Sequence, residues 1–174
     1  QESFDKFQLV EYEEGNYNGY NLTEKVEYKT INNIKSINVN GRIIGGCIDV
    51  LTQLLGTKFD NTKNFCSQFN EGMIWYLDNC ELTFVELYRR LFQMKMAGWF
   101  DNANCILIGR TFVKDVVCEI DIKVALEKAL GDLNIPIIYD VDIGHVPPQL
   151  VMINGSYGIF EYDNKKGRII QKFI

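Results

Sequence analysis

The sequence predicts an α/β domain, because apolar runs of strand length alternate with segments of helical periodicity. Apolar runs at residues 73–77, 105–109 and 136–139 are short and continuous, as is typical of strands buried on both faces. An amphipathic helical pattern lies between each successive pair of these runs. We therefore expect a mixed sheet with flanking helices, completed by antiparallel strands towards the C-terminus.

Two helices are predicted by the residues at their ends. Thr83 followed by Glu86 is a capping-box pattern, and it opens a helix that we expect to stop at Gly98. Asp121 is a suitable N-cap for a second helix, which we expect to end at Gly131. The apolar residues inside both segments recur at helical spacing, which indicates a core-facing side and not a cofactor site.

The remaining segments are assigned from turn formers and alternation. Residues 1–25 are polar and predict an irregular lead-in, whereas residues 26–174 predict one domain. Two short strands are expected within residues 26–39, with a turn at Asn32-Asn33 or at Asn40-Gly41.

A glycine-rich stretch, residues 41–46, leads into a helix that is expected to close at Gly56. The spacing of its glycines matches neither phosphate-binding loop pattern, so close strand–helix packing is the simpler interpretation. Beyond the prolines, antiparallel strands are expected at residues 150–153, 157–162 and 168–173.

Composition limits the function classes. The net charge of −5 and the scattered cations offer no basic stripe, which excludes a nucleic-acid partner. No apolar run approaches the roughly 18 residues of a membrane span, so we expect no membrane association and a cytoplasmic protein. Five cysteines and a single histidine form no familiar metal site, and we expect neither a metal nor a cofactor. A start at Gln1 suggests a fragment or a processed product.

The single histidine, His145, lies between Gly144 and a double proline at the end of a strand-like run. Ligands bind at this edge of open α/β sheets, and histidine suits proton transfer near neutral pH. A histidine base needs a carboxylate on its far nitrogen. Asp78, at the end of another strand, is the first candidate and Glu81 the second, although both could equally be capping or solvated acids.

Triad chemistry would also need a nucleophile. The chain has four serines, and none lies in the strand–turn–helix elbow that exposes a catalytic serine. A serine nucleophile is therefore expected outside these residues. Cys47 and Cys80 are alternative thiol nucleophiles, although burial is the commoner role of a cysteine.

Several motifs follow one another in a characteristic order, and they occupy residues 41–51, 55–57, 74–82, 93–100, 108–110 and 142–148. In this order they resemble the C-terminal half of the serine-type LD-carboxypeptidases, which include muramoyltetrapeptide carboxypeptidases and microcin C immunity proteins. The resemblance implies a swivelling β/β/α domain that supplies the acid and the histidine of a Ser–Glu–His triad. The N-terminal domain with the serine and the oxyanion hole would be missing from this chain.

The resemblance places the family's histidine on His145 and its acid on Asp78. The family usually has glutamate at the latter position. Three alternatives follow for this chain: the backbone compensates for the shorter aspartate, Glu81 takes its place, or activity is reduced. The implied reaction removes terminal D-alanine from a murein tetrapeptide, without metal or cofactor, in a protein expected to form homodimers. Hydrolysis of a microcin-type nucleotide conjugate is the alternative substrate, and the fragment by itself is expected to be inactive or a non-catalytic interaction module.

Overall fold

The computed structural model describes residues 1–8, 19–114 and 118–173. The strands are β1 (Lys6–Phe7), β2 (Glu24–Lys25), β3 (Lys29–Thr30), β4 (Ser36–Cys47), β5 (Met73–Asp78), β6 (Ala103–Gly109), β7 (Ile137–Val141), β8 (Tyr157–Asp163) and β9 (Lys166–Lys172). The helices are α1 (Ile48–Leu51), α2 (Thr62–Cys66), α3 (Phe84–Met96) and α4 (Ile122–Leu130), and a 3-10 turn (Gly131–Leu133) follows α4.

One mixed sheet organises the domain, with strand order β3-β7-β6-β5-β4-β8-β9. Strands β4 to β7 run parallel, whereas β3, β8 and β9 join the sheet in antiparallel pairs. Helix α3 connects β5 to β6, and α4 connects β6 to β7. The predicted α/β class, with a mixed sheet, flanking helices and C-terminal antiparallel strands, is confirmed.

Both faces of the central strands are buried. Along β5, Trp75 and Leu77 pack in the core that α3 and α4 cover, whereas Ile74 packs in the core on the opposite face. Trp75 stacks on Trp99 with ring centroids 5.8 Å apart. Because neither face meets solvent, these strands read as continuous apolar runs in the sequence.

The predicted helix signals act as expected. The Thr83 hydroxyl accepts from the Glu86 amide, and the Glu86 carboxylate accepts from the Thr83 amide, which completes the capping box of α3. Gly98 follows α3 with a φ of +78°, a left-handed conformation that favours glycine. The Asp121 carboxylate accepts from the Val124 amide at 2.8 Å and caps α4.

Two predictions upstream of the core need correction. A turn at Asn40-Gly41 is wrong, because β4 runs straight through these residues. Gly41 serves a close approach instead: a Cβ there would lie 2.9 Å from the carbonyl oxygen of Gly72. The chain turns at Asn32-Asn33, where Asn33 has a φ of +52°. Helix α1 is a single turn of four residues, and turns continue to Gly56.

The strand predicted at residues 150–153 is also wrong. Side chains, and not a strand backbone, satisfy two of its amides: Val151 donates to Gln1 Oε1 at 2.9 Å, and Ile153 donates to Gln171 Oε1 at 2.8 Å. The other two C-terminal strands are present as β8 and β9. Their turn is at Asn164 and Lys165, which have φ values of +47° and +68°.

The predicted irregular lead-in falls partly on residues 9–18, which lie outside the described residues. On either side of that gap, β1 and β2 form a short antiparallel ladder. The start of the chain is tied to β9, because the Ser3 amide donates to the Gly167 carbonyl at 2.8 Å. Across the described ranges, no helix combines the length and the apolar character that a membrane crossing requires.

Candidate active site

The parallel strands end along one edge of the sheet, and the candidate residues follow their ends. In the strand register, Cys47 lies opposite Asp78 and Gly109 lies opposite Val141. The residues that follow β7 lead directly to His145. Strand termination in register therefore gathers side chains that are far apart in the sequence.

His145 and Asp78 are in direct contact at this edge. The imidazole Nδ1 lies 2.7 Å from Asp78 Oδ2. The histidine side chain is 40% exposed and the aspartate side chain only 9%. An ionised carboxylate can only accept, so it favours the tautomer with a proton on Nδ1 and a free lone pair on Nε2. The arrangement can accept a proton from a hydroxyl that approaches the exposed side of the ring.

Two glycines permit this contact. Gly144 has a φ of +92°, and a Cβ on it would lie 2.4 Å from the Asp78 Cβ. A Cβ on Gly109 would lie 2.5 Å from the carbonyl oxygen of Ile143. The absence of side chains at these positions lets the His145 loop approach β5 closely. An aspartate, although shorter than a glutamate, therefore reaches the ring.

Glu81 is placed differently. It is exposed, and within the described residues no hydrogen bond or ion pair joins it to His145. Asp78 is the carboxylate at the imidazole.

Electrostatics at Asp78 reflect competing effects. Burial raises the pKa of Asp78 above its ordinary value of 3.8, while the neighbouring His145 lowers it and the negative charge of Asp49 raises it, so that the pKa is raised overall. Asp49 is itself held in place, since its Oδ2 accepts from the Cys80 amide and the Cys47 thiol, both at 3.3 Å. The Asp78 carboxylate therefore lies close enough to a second carboxylate, Asp49, to feel its charge.

The Cys47 thiol is held in its protonated form. Burial, with the charge of Asp78 and the hydrogen bond to Asp49, raises the pKa of Cys47 to about 11. A thiol with this pKa is protonated at neutral pH and is a poor nucleophile. Within the described residues, the Cys47 thiol donates to Asp49 and is not hydrogen-bonded to His145, and the backbone amide of Cys80 donates to the same carboxylate.

The serines are likewise engaged elsewhere or remote. Ser67 and Ser156 donate to carbonyls of their own turns, Ser3 accepts from the Gly167 amide, and Ser36 is exposed at the start of β4. None of these hydroxyls is hydrogen-bonded to His145 within residues 1–8, 19–114 and 118–173. The same residues contain no cluster of three or more histidine, cysteine or acidic side chains able to hold a metal ion.

The structure contains a buried ion pair, Arg110 with Asp142, that was not predicted from the sequence. Arg110 follows β6 and Asp142 follows β7, and the guanidinium contacts the carboxylate in the core. Both residues lie in the motifs singled out above. Opposite charges directly after neighbouring parallel strands are the signal that could have paired them.

Comparisons with known proteins agree with this architecture. The profile of the LD-carboxypeptidase C-terminal domain matches residues 40–158. The microcin C7 self-immunity protein MccF of Escherichia coli is 23% identical over 137 residues, which cover 78% of this chain and 38% of MccF. A second curated relative, from Vibrio cholerae, is 24% identical and is covered over 39% of its length. The chain thus spans about two fifths of these relatives.

Solved structures share the fold. An MccF-like protein from Streptococcus pneumoniae in complex with AMP superposes with a TM-score of 0.67 at 19% identity, covering 99% of this chain and 52% of that one. The muramoyltetrapeptide carboxypeptidase from Oxalobacter formigenes superposes with a TM-score of 0.65 at 14% identity, covering 81% of this chain and 47% of that one.

Proposed function

The chain belongs to the LD-carboxypeptidase C-terminal domain family, and on that premise we propose that it supplies the histidine and the acid of a serine-type carboxypeptidase. The substrate is a murein tetrapeptide, and the reaction hydrolyses the L–D amide bond that holds the terminal D-alanine. The observation that carries the proposal is the 2.7 Å contact of His145 with Asp78 at the carboxyl edge of the sheet.

The roles follow from the geometry of the pair. His145 Nε2 takes the proton of the serine hydroxyl as its oxygen attacks the scissile carbonyl, and Asp78 stabilises the imidazolium. The imidazolium then protonates the amine of D-alanine, which leaves. A water molecule, deprotonated by the same imidazole, hydrolyses the acyl-enzyme and restores the serine.

The serine, in this proposal, belongs to a part of the complete protein beyond these 174 residues. Two observations support this. The chain spans only 38% and 39% of its curated relatives, and the described serines have other partners or lie at a strand start. The oxyanion-hole donors would come from the same missing part.

Two comparisons favour a second substrate class. A relative by sequence is named as a microcin immunity protein, and a structural neighbour that aligns with 99% of this chain was solved with AMP. His145 and Asp78 would then act in an enzyme that hydrolyses an acyl amide on a nucleotide-linked peptide. Both reactions use the serine–histidine–acid sequence of steps, so they differ only in substrate.

The test is hydrolysis by the complete gene product, given in parallel a murein tetrapeptide and an aminoacyl-sulfamoyl nucleoside, which mimics the nucleotide conjugate. Free D-alanine released by the wild type, and not by His145→Ala, supports the carboxypeptidase. Cleavage of the nucleotide conjugate alone selects the second substrate class. Absence of both reactions in a folded protein refutes the proposal.

A further inference from the structure

Asp142 lies three residues before His145 and is completely buried. A buried carboxylate is costly unless charges and donors surround it. Here three donors do so. Its Oδ1 accepts from the Arg110 guanidinium, and its Oδ2 accepts from the Tyr28 hydroxyl at 3.0 Å and the Phe4 amide at 2.9 Å.

Arg110 makes further contacts at the end of β7. Its guanidinium also donates to the carbonyl of Asp140 at 3.2 Å, and its backbone amide donates to the carbonyl of Val141 at 3.0 Å. The ring of Phe7 covers the guanidinium at 4.1 Å. Only 5% of Arg110 is exposed. These contacts direct the arginine towards the end of β7, from which the His145 loop departs.

Two backbone hydrogen bonds hold the same loop, one at its ends and one near its middle. The amide of Leu150 donates to the carbonyl of Asp142 at 2.7 Å, so the loop over residues 142–150 begins and ends at one point. Beyond His145, the carbonyl of Pro147 accepts from the amide of Gln8 at 3.0 Å. The position of the imidazole therefore depends on an anchor that includes the Asp142 carboxylate.

We propose that Asp142 is a positioning residue: its carboxylate, held by Arg110 and Tyr28, fixes the loop so that His145 meets Asp78. The role in turnover rests on the proposed function, whereas the role in orienting the ring does not. A displacement of a catalytic group by about 1 Å costs roughly 10²-fold in rate. Loss of the anchor is therefore expected to lower kcat about 100-fold while KM changes little.

The chain has a single histidine, so its imidazole gives one set of NMR signals without further assignment. The test compares the ring nitrogen shifts and the titration of His145 in the wild type, in Asp78→Asn and in variants of the anchor. Asp142→Asn leaves the Arg110 charge unpaired in the core and risks unfolding. Two milder variants are therefore included: Tyr28→Phe, and Arg110→Met combined with Asp142→Leu, which removes both charges.

In the anchor variants, the ring nitrogen shifts of His145 should move towards those measured in Asp78→Asn. They should report a mixture of ring tautomers in place of a single tautomer with its proton on Nδ1. The matched control is Asp132→Asn, which removes the charge of an ion pair outside the anchor, because the exposed Asp132 side chain pairs with Lys95 at 2.8 Å. It should leave the His145 signals unchanged. Wild-type His145 signals in folded Tyr28→Phe and in the folded double variant overturn the proposal.

Turnover separates this proposal from the proposed function. If the complete protein hydrolyses neither substrate, the proposed function fails, and the NMR comparison still decides the role of Asp142. If the protein is active, the double variant should lose about 100-fold in kcat, and Asp132→Asn should lose none. A kcat that is unchanged in the double variant also overturns the positioning role.

Discussion

His145 and Asp78 are joined at 2.7 Å, Nδ1 to Oδ2, by a pairing that depends on two strands ending in step and on two glycines between them. The glutamate that the family pattern leads one to expect would place its carboxylate one methylene further from the strand. In this chain the backbone of the His145 loop lies directly on Asp78, with room for no Cβ at Gly144. The shorter acid and the close loop belong together.

Asp78→Asn should nearly abolish hydrolysis by the complete protein. An amide can donate to Nδ1 as well as accept from it, so it does not fix the proton there, and it has no charge to stabilise an imidazolium. A loss of about 10⁴-fold in kcat is expected for a triad acid. The measurement is steady-state turnover of the substrate that the wild type accepts. Glu81→Gln is the matched control, since it neutralises an exposed acid three residues after Asp78. Equal losses in the two variants would contradict the assignment of Asp78.

Asp78→Asn should also leave the fold as stable as the wild type, or more stable, at pH 7. The folded pKa of Asp78 is raised, so the folded state binds protons more tightly than the unfolded state. Its contribution to stability therefore falls as pH rises from 3.8 through the raised pKa. Thermal unfolding measured from pH 3.5 to pH 7 should show that the stability of the variant increases relative to that of the wild type as pH rises.

Glu27→Gln supplies the control of opposite sign. Ion pairs with Lys165 and Lys25 lower the pKa of the partly exposed Glu27 to about 2. Its stabilising contribution is present above the unfolded value of 4.5 and is lost as pH falls towards 2. The variant should therefore be less stable than the wild type at pH 7, with the difference shrinking in acid and in salt. Parallel pH profiles for both variants would refute this account.

Gly144→Ala should disrupt the site beyond the cost of its backbone conformation. A residue with a Cβ pays roughly 1–2 kcal/mol in the left-handed region. At Gly144 the added Cβ would also lie 2.4 Å from the Asp78 Cβ, which forces the loop and β5 apart. We expect a loss of roughly 10²-fold in kcat, measured in the complete protein.

Gly56→Ala is the matched control for that substitution. Gly56 also has a positive φ, +75°, but a Cβ there would contact nothing within 4 Å. It should cost stability alone and leave kcat unchanged. Comparable kcat values for Gly144→Ala and Gly56→Ala would mean that the close approach at Asp78 has no role in turnover.

The limits of sequence reasoning are physical. Strands β5 and β6 were predictable because both of their faces are buried. Glycine is ambiguous, however: at Gly41 it suggested a turn, but the residue accommodates the carbonyl of Gly72 within a strand. The strand predicted near Val151 failed because Gln1, 150 positions away, satisfies its backbone.

The same reasoning applies to the site. His145 and Asp78 could be paired in advance, since both follow buried strands that end at one edge. The Asp142 anchor could not, because two of its donors, the Phe4 amide and the Tyr28 hydroxyl, are 138 and 114 positions away. A backbone donor carries no signature in the sequence, and a tyrosine among nine gives little indication of its partner.

Thiol alkylation should leave hydrolysis intact. With a pKa of about 11, only about one Cys47 in a thousand is a thiolate at pH 8. The exposed Cys118 should react first with iodoacetamide, and mass spectrometry can follow each site while turnover is measured. We expect activity to persist after Cys118 is fully modified and in a Cys47→Ala variant. Two results together would show a thiol mechanism in place of the serine mechanism. Activity would be lost in proportion to the modification of Cys47, and the Cys47→Ala variant would be inactive without any alkylation.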